Sequence, residues 1–549
     1  MIHRFLILLV IVVALGIGVY AQVPPASNAS GTISGQVVND SGQPLAGASL
    51  FVRAMNATIA PRSTTTDAEG NFRLDGLDPA LYSITASAPA YATDTAATAT
   101  YYRIGDSVRL ELVRGGVITG TVTNSAGEPV IGLRVRAVRI RDASGQIMRT
   151  ASYGVERLTD DRGVYRIYGL LAGTYLVSGG GSSGLTALFN PYDTDVPTYS
   201  PSSTRDTASE IIVKPGEEST ADVRYRGEPG YSLSGTVKVS DTGIATLTLR
   251  AVGNPTPLAT VVQQAGTRGF AFNGLPDGEY TLRGQEIVSA QSVNTSLGAS
   301  ITKRVTIKGA SVTGLELIPT PLAAISGRVV LEPLKLAECQ GKRQPVLSEM
   351  MVQLMRPEKE AEDEDGIYLG LVGGAASPDA SGALLWRYVR PGRYRIEPRF
   401  YAHYWYLQSI TMKKIDAAAN WTTAKSGEQI KDVTITLAEG AASIRGHATV
   451  AEGTRLYLVP AEPDKATDVL RYFVTEVAAD GTFTFNNLPP GKYLALTQAN
   501  VDGQISTPAK LREPEAAAAR AKLRRSAETK KTELELKPCQ NLTDYQLKQ

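Results

Sequence analysis

Histidine and cysteine are nearly missing from this sequence. In 549 residues there are three histidines, His3, His403 and His447, and two cysteines, Cys339 and Cys539. A histidine-dependent hydrolase or a His-ligated metal centre would have to be built on His403 or His447. No Cys/His cluster at metal-ligand spacing accompanies either, so no catalytic residue, metal or cofactor is expected. Two thiols are too few for a disulfide framework, and burial must hold the fold together. An excess of either charge is lacking too. Basic residues number 56 and acidic residues 54, which excludes steering of the whole molecule toward nucleic acid. Beyond residue 21 no apolar run approaches the roughly 20 residues that a membrane-spanning helix needs.

What is present begins with an export signal. His3 and Arg4 precede an unbroken apolar run from Phe5 to Val19 and the small-residue site Val19-Tyr20-Ala21. This pattern predicts cleavage after Ala21 and a mature chain from Gln22, hence a periplasmic, cell-surface or secreted protein. No Cys follows the run to take a lipid. The length calls for several domains, since a single core rarely serves more than about 250–300 residues. With 52 Gly, 30 Pro and 24 Tyr, and many Val and Thr, the composition describes short strands between turns.

Two motifs repeat. The first reads Ile33-Ser34-Gly35-Gln36-Val37, Ile118-Thr119-Gly120-Thr121-Val122, Leu233-Ser234-Gly235-Thr236-Val237, Ile325-Ser326-Gly327-Arg328-Val329 and Ile444-Arg445-Gly446-His447-Ala448. Each is an alternating, half-buried strand whose Gly permits a bulge or a close backbone approach. Its starts at 33, 118, 233, 325 and 444 suit sandwiches of about 100 residues and exclude solenoid repeats of about 20–50. The second motif follows in every unit: Gly70-Asn71-Phe72…Leu77…Tyr82, Gly163-Val164-Tyr165…Leu170…Tyr175, Gly269-Phe270…Leu275…Tyr280, Gly382-Ala383-Leu384…Val389…Tyr394 and Gly481-Thr482-Phe483…Leu488…Tyr493. In three units Asp67, Asp160 or Asp379 stands three residues before the Gly, as type I turns favour. Tyr82, Tyr175, Tyr280, Tyr394 and Tyr493 are expected to be structural, each burying its ring and directing its hydroxyl to a backbone carbonyl.

In the first two units the opening strand runs into Asn39-Asp40-Ser41-Gly42-Gln43-Pro44-Leu45-Ala46-Gly47 and Asn124-Ser125-Ala126-Gly127-Glu128-Pro129-Val130-Ile131-Gly132. Together with the second motif, this resembles the carboxypeptidase regulatory-like family, strongly in these units and moderately in the later three. The resemblance implies an all-β chain of five tandem immunoglobulin-like, transthyretin-like sandwiches. The expected boundaries are a signal peptide at 1–21, a linker at 22–30, sandwiches at 31–114, 115–227, 228–320, 321–440 and 441–539, and a loose tail at 540–549. A helix over 513–531, rich in Ala, Lys, Arg and Glu, is inserted in the last sandwich, with Leu534-Glu535-Leu536 after it as the closing strand.

Several patterns imitate chemistry. Residues Gly179 to Gly184 fit both a nucleophile elbow and a dinucleotide loop, but the strand-to-helix context that either needs is missing. The acidic run Glu358 to Asp365, laid on a calcium loop, lacks ligands at the first and last positions. Pilin-type sandwiches share the fold, yet the opening strands lack the Lys that an isopeptide bond requires. The basic residues of the inserted helix read as a solvated face.

Function is therefore expected in binding, as an exported non-catalytic scaffold or adhesion protein with a protein or glycan partner at the cell envelope. Sandwiches of this shape also resemble starch-binding-like modules, in which exposed rings stack on sugars. Tyr192 and Tyr199 form one candidate cluster, and Tyr401, Tyr404, Trp405 and Tyr406 another, although alternate residues of the second must face the core. Cys339 and Cys539 are a candidate disulfide: an oxidising compartment favours the bond, while a straight array of domains would hold the two residues far apart.

Overall fold

The computed structural model describes residues 31–547 apart from 56–58, 94–99, 149–153, 183–189, 240–242, 255–257, 264–268, 289–297, 300–301, 343, 357–374, 413–420, 452 and 500–507. The signal segment, the acidic run and the end of the glycine-rich decoy lie outside these residues. Most of the regular structure described is β-strand.

One pairing recurs at five places. Each opening strand lies antiparallel to the strand of the second motif and parallel to a closing strand. Gly31–Asn39 pairs with Asn71–Leu77 and Ser107–Arg114 in this way. Tyr231–Val237 does so with Gly269–Leu275 and Val312–Leu317, and Ala323–Glu332 with Ala383–Val389 and Gln429–Glu439. The motif glycine sits where the closing strand comes nearest. A Cβ on Gly35 would lie 2.0 Å from the Val108 carbonyl oxygen, and one on Gly446 would lie 2.2 Å from that of Tyr545. The residue opposite is a large apolar one, Phe72 facing Gly35 and Phe483 facing Gly446, whose ring covers the missing side chain. A second sheet faces the first across an apolar layer. In the first unit it is built from Ser49–Ala54, Arg62–Thr65 and Tyr82–Ser87, and Ile33, Val37, Leu50, Val52, Phe72 and Leu77 fill the space between.

The turns follow from their side chains. Asp67 accepts from the Asn71 and Glu69 amides at 2.7 and 3.1 Å, and Asp160 does the same for Val164 and Arg162 at 2.7 and 2.9 Å. Asn39 and Asn124 tie the first turns of the first two units by accepting from Gln43 and Glu128 amides. A short polar side chain that satisfies turn amides is what makes Asp and Asn favourable there.

The last unit departs from the expected layout. Leu534-Glu535-Leu536 is not its closing strand: Glu533–Leu536 lies antiparallel to Gly491–Gln498 at the edge of the second sheet. The closing strand is Asn541–Leu547, parallel to Ala442–Ala448, so the segment expected to be a loose tail is a ladder strand. Its Tyr545 carbonyl lies against Gly446 as the Val433 carbonyl lies against Gly327 in the fourth unit. The helix spans Ala517–Lys530 and begins later than expected, because Pro514 opens a 3-10 turn ahead of it. Leu523 and Ala527 on its inner side press on Tyr457, Val459, Leu494 and Leu496, the outward face of the second sheet. Arg455–Pro460 is consequently buried along its whole length.

The chain is also not a straight string. The Ser348 hydroxyl of the fourth unit donates to the Pro79 carbonyl of the first at 2.5 Å.

Candidate functional site

The five repeated tyrosines make one identical contact. Each hydroxyl donates to the carbonyl four residues earlier: Tyr82 to Asp78 at 2.7 Å, Tyr175 to Leu171 at 2.8 Å, Tyr280 to Pro276 at 2.6 Å, Tyr394 to Arg390 at 2.9 Å and Tyr493 to Pro489 at 2.8 Å. Burial pushes the Tyr82, Tyr175 and Tyr280 hydroxyls up to about 12 and raises that of Tyr493 as well.

Of the rings expected at a ligand, Trp405 and Tyr404 of the fourth unit are spent on packing. Trp405 is 2% exposed and belongs to the core around Trp386 and Ile435, so it offers no face to a sugar. Tyr404 packs on the same core, with the Lys342 ammonium 4.9 Å from its ring centre. Tyr192 stands edge-on to Tyr225 at 5.7 Å and donates to the Ile131 carbonyl.

Tyr199 has a different setting. It lines a cleft of about 470 Å³ between the second and third sandwiches. The floor is the outward face of the second unit's sheet. Along Arg134–Arg141 the residues Val135 and Ala137 point into the core, while Arg136, Val138 and Ile140 point the other way, into the cleft. Leu176 from Gly173–Gly179 completes the apolar floor. Val252, Leu258 and Pro276 of the third sandwich close it from above. Arg136 is already engaged, ion-paired to Glu156 at 2.6 Å and donating to the Leu258 and Ser182 carbonyls at 3.2 Å. The Tyr199 hydroxyl has no hydrogen-bond partner among the described residues. Burial raises its pKa, while Arg205 and then Arg136 oppose that, outweighing Asp206.

Backbone contacts join the two sandwiches beside the cleft. Val196 donates to the Glu228 carbonyl at 2.8 Å and Gly230 to that of Thr194 at 2.9 Å. Gly274 packs so closely that a Cβ would lie 2.5 Å from the Asp195 carbonyl oxygen.

Gly274 belongs to a feature that the motifs carry without announcing it. One residue before the Leu or Val that ends each second-motif strand, the backbone takes positive φ: Gly76 +68°, Gly169 +72°, Gly274 +66°, Tyr388 +62° and Asn487 +56°. The register shifts there, so each is a bulge. In two units the bulge meets the preceding unit, and in the second unit it lies against the start of its own unit. Gly169 faces Gly115, Gly274 faces Asp195, and the Asn487 amide donates to the Ala402 and Trp405 carbonyls at 2.7 and 2.8 Å. The signal in the sequence was a residue that tolerates positive φ at a fixed place in a strand, Gly three times and Asn once, with Tyr388 the exception.

Among the described residues no group of three His, Cys, Asp or Glu side chains gathers to hold a metal, and no helix is long and apolar enough to cross a membrane. No curated protein matches the chain. Among solved structures, the TIE protein of Bacillus anthracis is 18% identical, with 53% of this chain and 51% of that one covered and a TM-score of 0.15. The chain thus spans about half the length of that protein. Two B repeat units of the collagen binding protein of Staphylococcus aureus are 13% identical, covering 75% of this chain and 100% of theirs at a TM-score of 0.14. The minor pilin of Streptococcus agalactiae is 11% identical, with 36% of this chain and 97% of its own covered and a TM-score of 0.20. In sequence, a family match falls on the first unit, which contains the Asn39 turn, the Asp67 turn and the Tyr82 contact. Residues 32–112 match the carboxypeptidase regulatory-like domain family.

Proposed function

We propose that the chain is an exported, non-catalytic scaffold of the cell envelope, five sandwich domains in series that hold a protein partner in a set position. The observation that carries the reading is the way consecutive units are joined. A scaffold has to transmit position from one end to the other, and that requires junctions that do not swing. Ordinary linkers between domains are polar, exposed and free to move. Here a backbone bulge of one unit receives the backbone of the unit before it, as with Gly274 on Asp195 and Asn487 on Ala402 and Trp405. A protein partner is favoured over a glycan because Trp405 lies in a core and Tyr404 packs on it, which takes the best ring cluster out of reach of sugars.

Two measurements test the reading. Mass spectrometry of the chain from envelope fractions of the source cells is expected to give an N-terminus at Gln22. Affinity capture with the mature chain, after crosslinking in intact cells, is expected to return a protein partner that a glycan array does not replace. Recovery of the chain from the cytosol with Met1 intact overturns export, and glycan binding without a protein partner overturns the partner class.

A further inference from the structure

We infer that the first sandwich carries an interaction surface whose partner is the fourth sandwich of the same chain, and that this pairing closes the first four units into a ring. It rests on the two faces themselves. Export and the nature of an outside partner do not bear on it, and the scaffold reading stands on the consecutive junctions whether the ring is closed or open.

One residue marks the face on the first unit. Each repeated tyrosine points into a core, so the residue before it, next along the strand, is turned outward. In four units that residue is polar, Thr174, Glu279, Arg393 or Lys492, and half-buried or exposed. In the first unit it is Leu81, which is 0% exposed although it is no part of the first core. The fourth unit has a counterpart. Along Met350–Met355 the residues Met350, Val352 and Leu354 point into the core, so Met351 points outward, yet it is 1% exposed. Phe51, outward in the same way in the first unit, is 53% exposed. An outward apolar side chain leaves water only when something beyond its own two sheets covers it.

The polar contacts bring these two faces together. The Ser348 hydroxyl, three residues before Met351, donates to the Pro79 carbonyl, two residues before Leu81, at 2.5 Å. Both partners are held in place. The Ser377 hydroxyl donates to the Ser348 carbonyl at 3.1 Å, and Pro79 follows the Asp78 carbonyl that Tyr82 bonds. Tyr102 bridges to Tyr82, next to Leu81, which sets Tyr101 and Arg103 on either side of the bridge. In the fourth unit Met351 pairs with Arg399, and Tyr401 comes two residues beyond. Burial raises the Tyr401 hydroxyl, and the groups that act on it include Arg399 of its own unit and Tyr101 and Arg103 of the first. The remaining joints complete a circuit. Gly115 of the second unit donates to the Ala90 carbonyl of the first at 2.9 Å, Gly274 packs on Asp195, and Thr320–Pro321, at the entry to the fourth unit, pairs with Gly298–Ala299 of the third. The fifth unit, joined through Asn487, stands outside that circuit.

The test joins Pro79→Cys to Ser348→Cys with a short bismaleimide in the mature chain 22–549. No reductant is added, so that Cys339 and Cys539 stay bonded to each other. The expected product is a monomer crosslinked within one chain, recognised by a linked peptide that contains both new cysteines. Adding Leu81→Lys should slow its formation about tenfold, because the face then closes only by desolvating an ammonium. Met351→Lys should slow it by a similar factor. Neither residue belongs to the core of the first unit, and Met351 lies outside that of the fourth, so both variants are expected to keep their folded sandwiches in calorimetry. A variant that loses a transition is set aside and the other decides. If both lose one, small-angle X-ray scattering of the unmodified chain decides: a maximum dimension well short of five sandwiches end to end supports the ring, and one that matches them overturns it. No crosslink within the chain, crosslinking only between molecules, or equal rates in all three folded proteins also overturns it.

Discussion

Cys339 and Cys539 are bonded to each other, with Cα atoms 5.4 Å apart across 200 residues of sequence. Strand direction explains how residues of neighbouring sandwiches meet. In the fourth unit the opening and closing strands, Ala323–Glu332 and Gln429–Glu439, are parallel and finish at the same end, beside the linker at Gly440. In the fifth, Ala442–Ala448 and Asn541–Leu547 are parallel and start at that linker. Cys339 follows a strand that ends there, and Cys539 precedes a strand that begins there. Cys539 donates its amide to the Gly440 carbonyl at 3.0 Å, and Lys335 donates to the Glu439 carboxylate at 3.0 Å. The bond therefore requires no folding back of the fifth unit onto the fourth.

Peptide mapping of the exported protein without reductant should return a linked Cys339–Cys539 peptide. Cys539→Ser should lower the stability of the last sandwich by about 2–5 kcal/mol, since the crosslink restricts a long loop in the unfolded chain. Two free thiols in the exported fraction would contradict the pairing.

Tyr493→Phe deletes a hydroxyl that is fully buried with its ring, and leaves the Pro489 carbonyl without its donor. A cost of about 1–3 kcal/mol is expected, confined to the last unit's melting transition. Calorimetry that finds no loss there would remove the structural role of this tyrosine.

Alkali should loosen the sandwiches within a defined window. Burial raises the Tyr82, Tyr175 and Tyr280 hydroxyls from 10.0 to about 12. A folded pKa above the unfolded value means that the native state holds the proton more tightly. The associated stability is complete below pH 10 and is lost as pH rises toward 12. Absorbance at 295 nm should show tyrosines ionising together with unfolding in that interval; independent ionisation near pH 10 with the fold intact would refute it.

Gly274→Ala should open the junction of the second and third sandwiches. The residue has φ +66°, which costs an L side chain about 1–2 kcal/mol, and its new methyl would meet a backbone carbonyl that cannot rotate away. Hydrogen exchange should quicken at the Gly230 and Val196 amides, which cross the junction. The Leu233 and Phe272 amides should remain protected, because the third core is untouched. Equal exchange at the junction in both proteins would show that the contact bears no strain.

The repeat, the turn aspartates and the tyrosines could be read in the sequence because each depends on neighbours within a few residues. A type I turn needs its Asp and Gly at fixed offsets, and a tyrosine that bonds the carbonyl four residues back needs only its own hairpin. The helix near residue 520 was legible from composition, although its start was displaced by Pro514. The closing strand of the last unit was missed because Leu534-Glu535-Leu536 alternates as well as any closing strand, whereas Asn541–Leu547 carries Thr, Asp and Gln. Alternation reports a half-buried strand and is silent about which partner it takes.

By itself the sequence determined an all-β chain of repeated sandwiches, with strand periodicity, turn chemistry and five buried tyrosines, since all of these are local. Tertiary structure alone decided which faces and ends meet. It put Trp405 in a core and Tyr199 in a cleft, brought Ser348 to Pro79, and set Cys339 beside Cys539. The physical reason is that strand direction and sheet stacking are set by the cheapest common burial of many distant side chains, a quantity that no short window of sequence contains.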